Sequence, residues 1–328
     1  MDSMLCRFWE TVGLVYGTLR TGRLESTLPH PDGISFGGGG FRPAEGIALA
    51  IEAPCILAWS EVLLCVWDLR AGTRVKSLLV SKVRDAAITP DGNGVVFTDG
   101  DNVRFWSPVE GTSRQLETCD PDAPYHVAIS PDGKRALSTA GRDVSLWRLD
   151  GPIQNAKDAR INRYIWLGTH DKPSAVAFAG PEKAIIRSGT HSLFMFDPRK
   201  WTSTSSGLDD SDLAGLNRAA PLSEGRLFAI SSYGGPITVW NLHEQRSMTV
   251  LTLHPGTVGR VSDSAKRLLL SSPDGVLKVV SLVDQSLLVA FQGDKQIVTC
   301  DGDEGLQWVG GRDENGQMHF FCVESPSL

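Results

Sequence analysis

Apolar and polar residues alternate with a period of two over short runs, and turn-forming residues separate the runs. The clearest stretch is Tyr125–Leu149, YHVAISPDGKRALSTAGRDVSLWRL. It predicts three strands: Val127-Ala128-Ile129, then Arg135–Thr139, then Val144–Trp147. Pro131-Asp132-Gly133 supplies the first turn, because Pro presets φ and Gly accepts the positive φ of a tight hairpin. Gly141-Arg142-Asp143 supplies the second. A lone three-stranded unit cannot bury both faces, so it requires neighbours of the same shape.

The neighbours recur along the chain. A third strand ending in an aromatic or branched residue is found at Trp67, Trp106, Trp147, Phe196, Trp240, Val280 and Phe321, at intervals of 39, 41, 49, 44, 40 and 41 residues. Four-stranded propeller blades repeat at about 40–45 residues. Turns at Pro90-Asp91-Gly92, Gly180-Pro181-Glu182 and Ser223-Glu224-Gly225 keep the same register. From roughly Gly22 onward the chain resembles the WD40-repeat family, with Trp67-Asp68 as its signature dipeptide. The resemblance implies an all-β fold: a seven-bladed β-propeller of four-stranded blades over 22–328, preceded by a short N-terminal segment, 1–21. It also implies structural roles for Trp67, Asp68, Trp106, Asp143, Trp147, Trp240, His254 and Asp274. In that family a His, a turn Asp, a Ser or Thr and the Trp form a hydrogen-bonded set. His254, Ser271 and Asp274 match it in the sixth repeat, where Val280 replaces the Trp. Asp143, Ser138 or Thr139, and Trp147 match it in the third, without the His, and the fourth has His191 at the Asp position. The last repeat, from Ile297, looks like the closing repeat of WD40 domains in bacterial signalling and NTP-hydrolysing proteins.

Near the N-terminus, Leu5, Phe8, Trp9, Val12, Tyr16 and Leu19 fall at spacings of three and four, which predicts an amphipathic helix. Gly13 and Gly17 weaken it by about 1 kcal/mol each relative to Ala. Arg7 and Glu10 interrupt any signal-peptide core. Gly22–Leu28 is similar to Gly72–Leu79, the outer strand that follows Trp67. It is therefore expected beside Met318–Phe321 as the fourth strand of the last blade, which would close the ring and remove two sheet edges.

Two intervals exceed the blade norm. One carries Arg160, Arg163, Tyr164 and Trp166, a mixture of basic and aromatic residues that can bind nucleic acid; the alternative is an outer strand, Asn162–Leu167, after a solvated loop. The other, Trp201–Pro221, contains Asp209, Asp210 and Asp212 and reads as a polar loop rather than a cation site. Gly37–Gly40 lacks the Lys of a phosphate loop. Asp301-Gly302-Asp303-Glu304-Gly305 lacks the distal Glu of a calcium loop and reads as a turn.

Composition changes little in this picture. The 34 glycines suit a chain of tight turns, and a net charge of −6 disfavours nucleic acid and anionic membranes as partners. The six cysteines show no CxxC pair and are expected as free thiols in a cytoplasmic protein. No catalytic or metal-binding motif is present, so no cofactor or metal is expected. The leading functional expectation is a non-catalytic scaffold that binds one or more proteins, with Leu5, Phe8, Trp9 and Val12, and Arg160, Arg163, Tyr164 and Trp166, as candidate contacts. The alternatives are a sensor or regulatory subunit of a bacterial signalling or defence complex, and a propeller enzyme acting on a small molecule.

Overall fold

The computed structural model describes residues 14–18, 23–28, 46–71, 73–118, 124–140, 143–150, 160–163, 173–178, 183–188, 192–197, 202–205, 216–220, 227–232, 237–241, 246–251, 257–262, 266–272, 274–292, 295–303, 305–314 and 318–323. Strands dominate and no helix occurs among them, so none is long and apolar enough to cross a membrane. The chain opens with β1 (Leu14–Thr18) and β2 (Arg23–Leu28). Six four-stranded sheets follow, each a meander of consecutive antiparallel strands. The first is β3 (Gly46–Leu49), β4 (Cys55–Ser60), β5 (Leu63–Asp68) and β6 (Thr73–Leu79). The second is β7 (Ala86–Ile88), β8 (Val95–Asp99), β9 (Asn102–Ser107) and β10 (Thr112–Thr118). The third is β11 (Pro124–Ile129), β12 (Arg135–Ala140), β13 (Asp143–Arg148) and β14 (Arg160–Arg163). The fourth is β15 (Pro173–Phe178), β16 (Ala184–Ser188), β17 (Ser192–Asp197) and β18 (Thr202–Ser205). The fifth is β19 (Leu216–Ala220), β20 (Leu227–Ser232), β21 (Ile237–Asn241) and β22 (Arg246–Leu251). The sixth is β23 (Thr257–Ser262), β24 (Arg267–Ser271), β25 (Val276–Ser281) and β26 (Leu287–Gln292). The last sheet joins β27 (Ile297–Gly302), β28 (Trp308–Asp313) and β29 (Met318–Cys322) to the N-terminal pair, in the order β2-β1-β29-β28-β27.

Alternation along β4 and β5 shows why the sheets stack. Ile56, Ala58, Cys65 and Trp67 bury one face in a cluster with Phe320 of β29, while Leu57, Trp59, Leu64 and Val66 bury the other against Ile88, Val95 and Trp106 of the second sheet. Successive residues of a strand point to opposite faces, so a strand buried on both reads as an unbroken apolar run. Similar layers join the second sheet to the third, the third to the fourth, and the sixth to the last. First strands touch in succession: β3 with β7, β7 with β11, β11 with β15, β19 with β23, β23 with β27, and β27 with β3. The last sheet thus packs on the first. Within the first sheet, Gly46 lets the ring of its cross-strand partner Trp59 lie over it, since a Cβ on Gly46 would lie 2.1 Å from that ring.

Three expectations are corrected. Residues 14–18 are a strand rather than part of a helix. Leu14-Val15-Tyr16-Gly17-Thr18 combines β-branched and aromatic residues with a helix-weakening Gly, and the edge of β29 supplies hydrogen-bond partners. Second, β1 and not 22–28 lies beside β29, in parallel, with Leu14 opposite Met318 and Thr18 opposite Cys322; β2 is one strand further out, antiparallel to β1. Third, the polar interval 201–221 contains β18 and β19. An outer strand such as Thr-Ser-Thr-Ser needs no apolar pattern, because Thr favours extended backbone by itself. The outer strand expected at 162–167 overlaps β14 at residues 162–163, and residues 164–167 lie outside the described residues.

Candidate functional site

The repeated third-strand residue occupies one structural position in every sheet. Opposite it on the second strand stand Ile56 for Trp67, Val95 for Trp106, Ala136 for Trp147, Ala184 for Phe196, Phe228 for Trp240, Leu268 for Val280 and Val309 for Phe321. Trp67, Trp106, Trp147, Phe196, Val280 and Phe321 are all buried. The fourth strand often adjusts at this point: a register shift falls at Trp67, Trp147, Trp240 and Val280. A bulge inserts one unpaired residue and bends the outer strand there.

Of the hydrogen-bonded set that the resemblance implies, one pair is made in the third sheet among the described residues. Trp147 Nε1–H donates to Ser138 Oγ at 2.9 Å, with both residues buried. Thr139 is used differently, its Oγ1 accepting the His126 N–H at 3.2 Å. Asp143 begins β13 opposite Ala140. Asp68 closes the turn after β5, its Oδ1 accepting the Arg70 and Ala71 N–H groups at 2.8 and 3.0 Å. Asp274 takes its hydroxyl from Ser272 rather than Ser271, and His254 lies outside the described residues.

Asp274 belongs to a turn that occurs three times. Thr89-Pro90-Asp91-Gly92, Ser130-Pro131-Asp132-Gly133 and Ser272-Pro273-Asp274-Gly275 share one hydrogen-bond plan. The hydroxyl donates to the Asp Oδ1, at 2.6 Å from Thr89 and 2.5 Å from Ser130, and likewise from Ser272. The Gly N–H returns to the carbonyl of the hydroxyl residue at 2.9, 2.8 and 2.9 Å. Gly92, Gly133 and Gly275 hold φ of 77°, 70° and 82°, a region that favours glycine. In sequence, Pro-Asp-Gly marks the turn; the preceding Ser or Thr was the overlooked signal. Burial pushes the Asp91 carboxyl up, but bonds from Thr89 and Asn93 outweigh it and hold the group below the ordinary range. Ser272 is the main cause of the same lowering at Asp274.

Two of these turns line a cleft of about 280 Å³ between the first three sheets, with Asp91, Asp132 and Glu52 on its walls and Phe105 and Leu149 below. Asp91 and Asp132 are occupied in closing their own turns: Asp132 Oδ1 accepts Ser130 Oγ–H and Lys134 N–H, and Asp91 also binds Asn93. Among the described residues, no group of three or more His, Cys, Asp or Glu could hold a metal ion. The cleft offers acceptors, and most of them are spent on the fold.

Carboxylates also tie sheets to one another. Asp301 Oδ2, on β27, accepts the Leu49 N–H of β3 at 2.9 Å, across 252 residues of sequence. The same carboxylate receives Arg260 of β23, with Nε at 2.8 Å and Nη2 at 3.3 Å. Both side chains are only 12% exposed, so this fork spans the sixth, last and first sheets in a nearly dry setting. Asp85 does similar work between the second and third sheets, accepting the Val127 N–H at 3.0 Å. Burial raises the Asp303 carboxyl above its ordinary range even though the Trp308 and Gln307 N–H groups bind it. His319 and Asp313 form a buried contact at 3.2 Å within the last hairpin. Burial pushes the Cys65 thiol up to about 12 and raises Cys55 as well, which suits packing rather than reactivity. Among the described residues, Cys55, Cys65 and Cys300 are in no disulfide.

The sequence-derived contact residues remain separate from these features. Arg160 and Arg163 lie on β14, the outer strand of the third sheet. Leu5, Phe8, Trp9, Val12, Tyr164 and Trp166, together with Gly37–Gly40, lie outside the described residues. No protein-family model matches the chain, and no curated protein matches it either.

Proposed function

We propose that the chain is a WD40-like, seven-bladed β-propeller acting as a non-catalytic scaffold for protein partners. The observation that carries this reading is the packing of the last sheet on the first, through Phe320 in the Ile56–Trp67 layer and the Asp301 bond to Leu49. Sheets stacked face to face in succession make a ring if the two ends meet. A ring of rigid sheets holds its two faces and its rim of turns in fixed relation, which suits the simultaneous holding of partners. Phe8 and Trp9 are the proposed partner anchors, since aromatic residues dominate interfaces.

The test is co-purification of the full chain from its native host, followed by the Phe8→Ala/Trp9→Ala double variant. A stoichiometric partner lost from the double variant, with the thermal melt unchanged, supports the assignment. A lowered melting temperature with the partner retained means that the two aromatics serve the fold. Turnover of a metabolite pool by the purified protein would contradict the non-catalytic reading.

A further inference from the structure

Asn93-Gly94 follows directly on the first Pro-Asp-Gly turn, and it is the one Asn-Gly pair among the described residues. The pair is chemically labile, because glycine has no side chain to hinder attack by its amide nitrogen on the preceding asparagine. In that reaction the Gly94 nitrogen bonds to Asn93 Cγ while the Cγ–Nδ2 bond breaks. The amide proton leaves with the departing ammonia, and a cyclic succinimide remains. Water then opens the ring at either carbonyl, giving aspartate or isoaspartate. The net change is an amide and a water converted to a carboxylate and ammonium, with no oxidant or cofactor.

The turn ties down both reacting groups. Gly94 is buried, and its N–H, which must lose its proton before the nitrogen attacks, donates to Thr89 Oγ1 at 2.8 Å. The Thr89 hydroxyl, buried too, donates in turn to Asp91 Oδ1 at 2.6 Å. Asp91 holds Asn93 twice: Oδ1 accepts its backbone N–H at 3.1 Å, and Oδ2 accepts the side-chain Nδ2–H at 3.0 Å. The Phe105 ring lies over Gly94, where a Cβ would stand 2.8 Å from two ring atoms. In the Ser130 turn the Arg135 N–H makes the same bond, to Ser130 Oγ at 2.9 Å, but Lys134 stands where Asn93 does. Conversion at residue 93 would undo the arrangement. Isoaspartate lengthens the backbone by one atom and shifts the Gly94 N–H away from Thr89. Aspartate sets a second carboxylate against Asp91 Oδ2, where an N–H donor stood.

We propose that Asn93 is a deamidation site gated by the Thr89–Asp91 turn, which shields it while closed and which the converted residue no longer closes. Peptide mass spectrometry and isoaspartyl carboxyl methylation of the full chain, held at mildly alkaline pH, follow conversion at residue 93. The folded parent should convert more slowly than the same chain in urea. Thr89→Val keeps the side-chain shape and removes the acceptor of the Gly94 N–H. It should convert about tenfold faster than the parent, as expected for one lost hydrogen bond. Asn93→Asp installs one product directly, and hydrogen exchange of its Gly94 amide should be faster than in the parent. That arm decides the matter should Thr89→Val fail to fold, which thermal melts reveal. Equal rates in the folded and urea-unfolded parent overturn the proposal. So does a folded Thr89→Val no faster than the parent, or an Asn93→Asp chain whose Gly94 amide exchanges at the parent rate.

Discussion

Removing the hydroxyl of Ser138 and the indole N–H of Trp147, singly and together, isolates the Trp147–Ser138 hydrogen bond of the third sheet. Trp147 is fully buried and its Nε1 lies 2.9 Å from Ser138 Oγ, itself buried. In Trp147→Phe the lost ring volume costs about 1 kcal/mol. Leaving the Ser138 hydroxyl without its donor adds about 1–3 kcal/mol. Ser138→Ala removes the acceptor of the indole N–H, at a similar cost of about 1–3 kcal/mol. The double variant has neither group, so the desolvation costs vanish and about 1 kcal/mol of lost volume remains. The double variant is thus expected to be more stable than Trp147→Phe alone, with a coupling equal to the two relieved desolvation costs together, about 2–6 kcal/mol in the cycle. Urea unfolding followed by far-UV circular dichroism measures all four proteins. Additive costs, with the double variant the least stable, would refute the view that this bond carries the aromatic position.

Other outcomes follow from the same geometry. Gly275→Ala should destabilise more than Gly133→Ala in thermal melts: both hold positive φ, but a Cβ at 275 would lie 2.8 Å from the Gln296 backbone, against 3.3 Å from the Pro90 ring at 133. Asp91 and Asp274 have lowered carboxyl values, so their stabilisation is present above the unfolded value near about pH 4 and is lost as pH falls through the lower folded one. Asp91→Asn should make the acid limb of a stability–pH curve shallower. Asp303 is shifted in the opposite direction, so its charge opposes folding at neutral pH. Asp303→Asn, which keeps an acceptor for Gln307 and Trp308, should melt at or above the parent at pH 7 and lose any gain as pH falls through the raised value. Deleting residues 1–13 should leave the melt unchanged, whereas deleting 1–20 removes β1, bares the edge of β29 and should give an aggregating protein.

The inner strands were legible where both of their faces are buried, as in β4 and β5. Runs such as Leu57–Trp59 and Leu64–Trp67 stand out, and the Trp, Phe or Val near the end of each third strand recurs at intervals of 39 to 49 residues. The Pro-Asp-Gly turns were legible for the same local reason, their chemistry being held within four residues. What escaped depends on distant partners. Leu14–Thr18 has a helical spacing of apolar residues, and only the neighbouring β29 edge decides for a strand. Asp301 resembled a turn acid because nothing around it in sequence reveals Leu49 or Arg260, which lie 252 and 41 residues away. Tertiary contacts override local pattern where local preference is weak.

Meeting of the last sheet with the first is the central claim, and hydrogen exchange in Asp301→Ala tests it most directly. In the parent, Asp301 accepts the Leu49 N–H and holds Arg260, so one carboxylate joins β3, β23 and β27. Its removal leaves Arg260 largely buried without this carboxylate, a change that costs about 3–5 kcal/mol when a buried pair is broken. Mass-spectrometric exchange should therefore quicken in residues 46–50 and 257–262 as well as around 301, while β12 in the third sheet keeps its protection. Faster exchange confined to the neighbourhood of residue 301, with 46–50 unchanged, would contradict the meeting of the two ends.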